Sequence, residues 1–215
     1  MLYPKINTLW KRDPDNKFNI IRGDFSCAEF DNIKRWYVTE KIDGTNIRVM
    51  IDFGRGSIIF GGRTDNAQIP PMLMKYLQET FTMDRIRQAF PFTEGSVILF
   101  GEGYGAKIQK GGGLYRSDNA FILFDVWIDP WWLEQDNVKD IAEKLGIDHV
   151  PFLGIMTYEE VVSILVGKPK SMIAQSDKVV EGFVARSYPL MFFRHGGLIM
   201  WKLKVKDYEK LGVIK

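Results

Sequence analysis

The chain has 215 residues and a formal charge of +2, from 29 Lys plus Arg against 27 Asp plus Glu. That balance excludes a protein that grips polyanions by bulk charge, so any nucleic-acid surface must be local. A single cysteine, Cys27, excludes an internal disulfide, and no apolar run approaches the roughly 18 residues of a membrane span.

The N-terminal "MLYPKINTLWKRDPDN" has no apolar core of signal-peptide length. The sequence reads as a soluble, intracellular, cytoplasmic protein (host cytoplasm if viral), with Cys27 a buried thiol. "WYVTEKI" (36–42) predicts a strand running into an Asp-Gly hairpin turn, "TNIRVMIDF" (45–53) a second strand, and "SIIFGGR" (57–63) a third after a Gly-rich turn. Residues 70–90 predict a helix opened by a double proline and broken near Thr82. "SVILFGEGYG" (96–105) predicts a buried strand ending in glycines, "KIQKGGGLYRSDN" a flexible loop, and "AFILFDVWI" (120–128) another strand. An amphipathic helix follows over 133–146, closed by Gly146. A second covers 157–167, with Thr157 and Glu160 at capping-box spacing. Strands at 179–187 and 198–206 precede the tail "DYEKLGVIK". Strands dominate without βαβ regularity, which predicts an α+β fold with largely antiparallel sheets and flanking helices.

Lys41 sits at the end of a strand that otherwise reads as buried, beside Glu40 and Asp43. Desolvation disfavours an ammonium, and half-neutrality near pH 7.5 needs a shift of about three units, roughly 4 kcal/mol. A neutral buried lysine is a nucleophile or a Schiff-base former; the plain alternative is a surface lysine on an edge strand. By alternation Lys41 and Asp43 share one face and Glu40 takes the other. Elsewhere "FGEG" sets Glu102 between glycines, "VEGF" sets Glu181 before one, "WKLK" puts Lys202 and Lys204 on one strand face, and "GGRT" places Arg63 after a glycine pair. Strand ends beside glycine let a ligand approach the backbone.

The order K-x-D-G, F-G-E-G, F-D, E-G-F-V, K-L-K over residues 40 to 204 resembles the covalent nucleotidyltransferase superfamily of ATP-dependent ligases and GTP-dependent capping enzymes. DNA ligases and capping enzymes typically carry an arginine two residues after the Asp-Gly. Here Asn46 stands there, which resembles the ATP-dependent RNA ligases, especially the nick-sealing type, as do Glu40 and "GGRT". The resemblance implies an ATP-grasp-like nucleotidyltransferase domain whose sheets form a nucleotide cleft. It implies attack of Lys41 on the α-phosphate of ATP, a lysyl-AMP, an adenylylated RNA 5′-phosphate, and joining to a 3′-OH.

The same resemblance implies the roles. Lys202 and Lys204 stabilise the α-phosphate, where charge grows at the transition state. Glu181 holds Mg²⁺ (Mn²⁺ as a substitute), directly or through water, and Asp43 helps hold the metal or orients the amine. Glu102 and Arg63 face the ribose and its neighbouring phosphate, Glu40, or its backbone, reads the adenine edge, and Asn46 helps hold metal-bound water. Phe124, which precedes Asp125, covers the adenine rather than Phe121. The plain alternatives are core packing for Phe124, edge gatekeepers for the lysine pair, water-facing turns for the two glutamates, and a surface pair of Arg63 with Asp65. Lys107, Lys110 and Arg116, around three glycines and Tyr115, suit an RNA backbone or form a solvated loop. His149 and His195 lie too far apart in sequence to suggest a metal site.

The expectation is one adenylyltransferase domain over 1–215 without an appended C-terminal domain, acting on nicked or paired RNA ends, with an accessory protein replacing that domain. The rival readings are a DNA ligase, a GTP-dependent capping-type enzyme, and a nucleic-acid end-binding module without turnover.

Overall fold

The computed structural model describes residues 1–214. In chain order it contains β1 (Asn7–Thr8), β2 (Trp10–Asp13), β3 (Asn19–Phe25), α1 (Glu29–Asn32), β4 (Trp36–Lys41), β5 (Thr45–Asp52), β6 (Ser57–Gly61), α2 (Pro71–Thr80) and α3 (Met83–Ala89). There follow β7 (Ser96–Gly105), a 3-10 turn (Gly112–Leu114), β8 (Asn119–Ile128), β9 (Trp131–Trp132), α4 (Gln135–Leu145), β10 (Asp148–His149), β11 (Phe152–Met156), α5 (Tyr158–Val166), β12 (Gly182–Ser187), β13 (Met200–Lys204) and α6 (Val205–Lys210). The fold is α+β, and the strand pairings are antiparallel apart from β1 with β13 and β8 with β10. No helix among the described residues is long and apolar enough to cross a membrane.

The chain divides into two compact units. The first comprises Met1–Tyr3, Asp43–Val150 and Ala174–Ser176. Its sheet runs β10-β8-β7-β5-β6, with β9 beside β8. Alternation buries Ile47, Val49 and Ile51 on one face, where Leu73 and Leu77 of α2, Ile86 of α3 and Val138 of α4 join the core. Each such side chain contributes about 1.5–3 kcal/mol on burial. The break near Thr82 is a cap: the Thr82 hydroxyl accepts from Arg85 N at 3.4 Å and starts α3. On β8 the buried positions step from Phe121 and Leu123 to Val126. A bulge causes the step: Gly101 pairs with Leu123 but Phe100 with Asp125, which leaves Phe124 as the extra residue.

The second unit comprises Pro4–Ile42, Pro151–Ile173 and Asp177–Lys215, described here to residue 214. Its sheet runs β1-β13-β12-β4-β11, with β2 and β3 as a separate hairpin. Trp36, Val38, Phe183, Ala185, Trp201 and Leu203 pack with Val161 and Leu165 of α5 and Tyr208 of α6. The expected capping box on α5 is present: the Thr157 hydroxyl accepts from Glu160 N, and the Glu160 carboxylate accepts from Thr157 N at 2.8 Å.

Several expectations fail. The Asp-Gly turn after residue 42 is not a hairpin, because β4 pairs with β11 and β12 while β5 pairs with β6 and β7. Only the Gly-rich turn between β5 and β6 makes the predicted hairpin. The last strand stops at Lys204, and 205–210 is helical. Trp10 Nε1 donates to Tyr208 Oη at 2.8 Å and Arg12 pairs with Asp207 at 2.7 Å, tying that helix down. Strands β1, β10 and β11 have weak periodicity and add to the edges of β13, β8 and β4, while β2 and β3 pair only with each other.

Candidate active site

In the second unit, register builds the charge cluster. Gly182 of the central strand β12 lies opposite Lys41 on one side and Lys204 on the other. Residues directly opposite share a sheet face, so both lysines project from the same side. A Cβ on Gly182 would sit 1.9 Å from Leu203 O. Only glycine permits this close approach of strands.

Glu181, one residue earlier, reaches both amines. Its Oε2 lies 2.6 Å from Lys41 Nζ and its Oε1 2.6 Å from Lys204 Nζ. The three side chains are only 15–20% exposed. Burial alone would raise the Glu181 carboxyl, but Lys41 and Lys204 together outweigh it and hold the carboxyl below its usual range. Lys41 is therefore ion-paired here, not a bare amine in an apolar wall, and its carboxylate partner is neither Glu40 nor Asp43. Lys202, two register rows away opposite Val184, is partly buried on the same face as Lys204, as the alternation predicts.

Glu40 shares the face of Trp36 and Val38 and is 1% exposed. Its Oε2 accepts from Met172 N at 2.8 Å, while Oε1 is buried without a hydrogen bond. Desolvation raises its carboxyl; the Ser171 hydroxyl, Met172 N and Lys178 offset only part of that. The sequence showed no sign that Met172 anchors this carboxylate, since 132 residues separate them.

The chain leaves β4 at Lys41, so Asp43, where the first unit resumes, lies outside the strand and does not share its face. Asp43 N donates to Tyr115 Oη at 3.2 Å, and Gln109 Nε2 donates to Gly44 O at 2.9 Å. The loop read as flexible is thus a brace. Tyr115 is 1% exposed, and Gly112 lies so close to Gly105 that an added Cβ would meet its carbonyl at 2.0 Å. The triple glycine was the available signal, and it marks close packing rather than mobility.

Asn46 and Glu102 are direct cross-strand partners on β5 and β7. Asn46 Oδ1 is buried without a hydrogen bond, a polar atom that a ligand would satisfy. Gly44 sits against this pair, since a Cβ there would meet Gly103 O at 2.3 Å and Glu102 Cγ at 2.7 Å.

Phe121 is core, with its ring filling the space over Gly101, whereas Phe124 is half-buried on the bulge with Tyr3 4.9 Å from its ring. Arg63 is exposed just past β6 and does not pair with Asp65. Asp65 Oδ1 instead takes Nη2 of Arg48 at 2.8 Å, a 2%-exposed arginine missed in the sequence whose Nε also donates to Gly62 O. Among the described residues no group of three His, Cys, Asp or Glu side chains gathers to hold a metal. The ionised Glu181 is a hard oxygen donor, so the residues fit a cation held mainly by phosphate oxygens and water with one carboxylate.

The RNA ligase family model matches residues 34–204. No curated protein matches the chain. Among solved structures, Naegleria gruberi RNA ligase with PPi is similar at 19% identity and a TM-score of 0.62, over 97% of this chain and 63% of that one. A mutant of the same ligase with ATP and Mn gives 16% identity and a TM-score of 0.65, over 99% and 59%. A mutant with AMP and Mn gives 17% and 0.64, over 97% and 63%. At these identities the likeness concerns the fold, and the chain spans about three fifths of the length of these relatives.

Proposed function

The chain belongs to the RNA ligase family, and from that premise we propose that it joins RNA ends at the expense of ATP through an AMP carried on Lys41. The observation that carries the reading is the Lys41–Glu181–Lys204 cluster, two amines held to one carboxylate across three adjacent strands. In the proposed first step Lys41 Nζ, its proton passed to solvent, attacks the α-phosphorus of ATP. The N–P bond forms as the bond to the bridging oxygen breaks, and pyrophosphate leaves with the electron pair. AMP then passes to an oxygen of an RNA 5′-phosphate and Lys41 regains its amine. An RNA 3′-oxygen displaces AMP and closes the phosphodiester. We read the substrate as nicked or paired RNA.

Transfers of this kind need positioning and charge neutralisation more than acid–base work. Lys204 and Lys202 supply positive charge to the non-bridging oxygens of the α-phosphate. Glu181 keeps the two amines of its cluster apart and aimed while no nucleotide is present. An oxygen that Glu181 gives to a cation is one it withdraws from a lysine. Glu181 would be the carboxylate that holds Mg²⁺ or Mn²⁺, which when bound would neutralise phosphate charge, and Asp43 would help hold it or orient the amine.

Glu40 is assigned to the adenine edge, its buried Oε1 being an acceptor without a donor. Asn46 and Glu102 are assigned to the metal-bound water and the ribose, Arg63 to a phosphate, and Phe124 to the adenine face. Intact mass after incubation with ATP and Mn²⁺ or Mg²⁺ tests the reading. The protein gains one AMP and Lys41→Ala gains none; equal gain in both, or gain in neither, overturns it.

A further inference from the structure

The first unit carries a groove of about 460 Å³ that the chemistry above does not use. Met72, Lys75 and Tyr76 of α2 line one side, and Lys107, Ile108 and Asp118 the other. Pockets of about 300–1,000 Å³ hold small ligands or single residues of a polymer rather than a whole duplex.

Most of the groove's charges already have partners. Both oxygens of Asp118 are taken by Arg116, at 2.5 and 3.1 Å, so that arginine is not open to a ligand's phosphate. Lys75 Nζ lies 3.8 Å from Glu79 Oε1. Lys107 is in no ion pair among the described residues, and it is exposed, which leaves the groove one positive charge in excess. Lys110 adds a second exposed cation on the same loop. Met72, 68% exposed, with Tyr76 and Ile108 provides an apolar and aromatic wall. A ring or thioether surface beside one cation suits a base with its neighbouring phosphate. Lys107 also stands at φ +65°, a backbone region that side-chain-bearing residues rarely adopt, so the loop fixes where its amine starts.

We propose that this groove takes a stretch of RNA strand, one base against Met72 and Tyr76 and a phosphate at Lys107. The proposal rests on the ligase reading in taking RNA as the polymer. Gln109 and Tyr115 of the same loop hold Gly44 and Asp43, directly after Lys41 and Ile42. The groove and the brace of that turn thus share one loop.

Fluorescence anisotropy with a labelled nicked RNA duplex, and separately with labelled single-stranded RNA, provides the test. Lys107→Gly removes the amine and suits the left-handed backbone, so the variant folds. It weakens binding of at least one RNA about tenfold and lowers the slope of log K against log salt by about 1. Met72→Ser weakens the same RNA about threefold and leaves that slope unchanged. Affinity and slope unaltered in Lys107→Gly, absence of RNA binding by the wild type, or displacement of RNA by polyglutamate at equal charge overturns the proposal; the last outcome makes the groove a site for acidic protein. Lysine adenylylation needs no RNA. A preparation that gains AMP yet binds RNA independently of Lys107 sinks the groove alone, and one that gains no AMP sinks the ligase reading.

Discussion

Glu181 and Glu102 both stand beside glycine, and the two units give them different company. In the second unit Glu181 bridges two lysines, because the strands on either side of Gly182 end in Lys41 and Lys204. In the first unit the residue across from Glu102 is Asn46. Both glycines are steric necessities, but of different kinds. Gly182 faces a backbone oxygen, whereas Gly103, after Glu102, faces the Leu73 side chain at 2.3 Å. The contrast teaches that an acid-glycine pair sets up a close approach, and that strand register decides which residue lies across from it.

The largest expected effect breaks the contrast at its glycines. Gly182→Ala forces backbone apart at the centre of a sheet and should cost more than about 4 kcal/mol, with lysyl-AMP formation lost. Gly103→Ala asks only that Leu73 repack and should cost about 1–3 kcal/mol. Urea denaturation of the two variants measures the difference; equal costs would show that the close approach of Leu203 relaxes easily.

Next come the acids themselves. Glu181→Gln leaves two ammonium groups against a neutral amide and should lose on the order of 1–3 kcal/mol at neutral pH. The Glu181 carboxyl is held below its ordinary 4.5, so folding favours its ionised form. That contribution is complete above 4.5 and disappears as pH falls through the depressed folded value. Wild type and Glu181→Gln should therefore converge in stability under acid, a convergence that thermal melts across pH detect. Glu181→Gln should also suppress adenylylation, read as mass gain.

The smallest effect has the opposite sign. Burial raises Glu40 above its ordinary 4.5, so ionising it at neutral pH costs the folded state. The penalty is absent below 4.5 and grows as pH rises through the raised folded value. Glu40→Gln keeps an acceptor for Met172 N and should raise stability by about 0.5–2 kcal/mol at neutral pH, with no gain under acid. A lower melting temperature at neutral pH would mean that Lys178 and Ser171 already compensate the charge.

Much of the fold was legible because local rules sufficed. The strands at 96–105 and 120–128, the break at Thr82, the Gly146 stop and the Thr157 capping box all follow from periodicity and caps. The Asp-Gly after Ile42 misled because a turn residue announces a change of direction and says nothing about which strand lies next. The loop around Gly111–Gly113 misled in the same way, since glycine serves freedom and close packing equally well. Arg48, Met172 and Tyr3 gave no signal at all, because each acts through a partner far along the chain.

The sequence by itself determined the principal strands and helices, the order of the acidic and basic segments, and the family to which the chain belongs, because these depend on neighbours within a few residues. The tertiary structure alone decided that Glu181 sits between Lys41 and Lys204, that Glu102 faces Asn46, and that Tyr115 and Gln109 brace the turn after Lys41. Those facts depend on strand register and on contacts between residues distant in sequence, which no local pattern encodes.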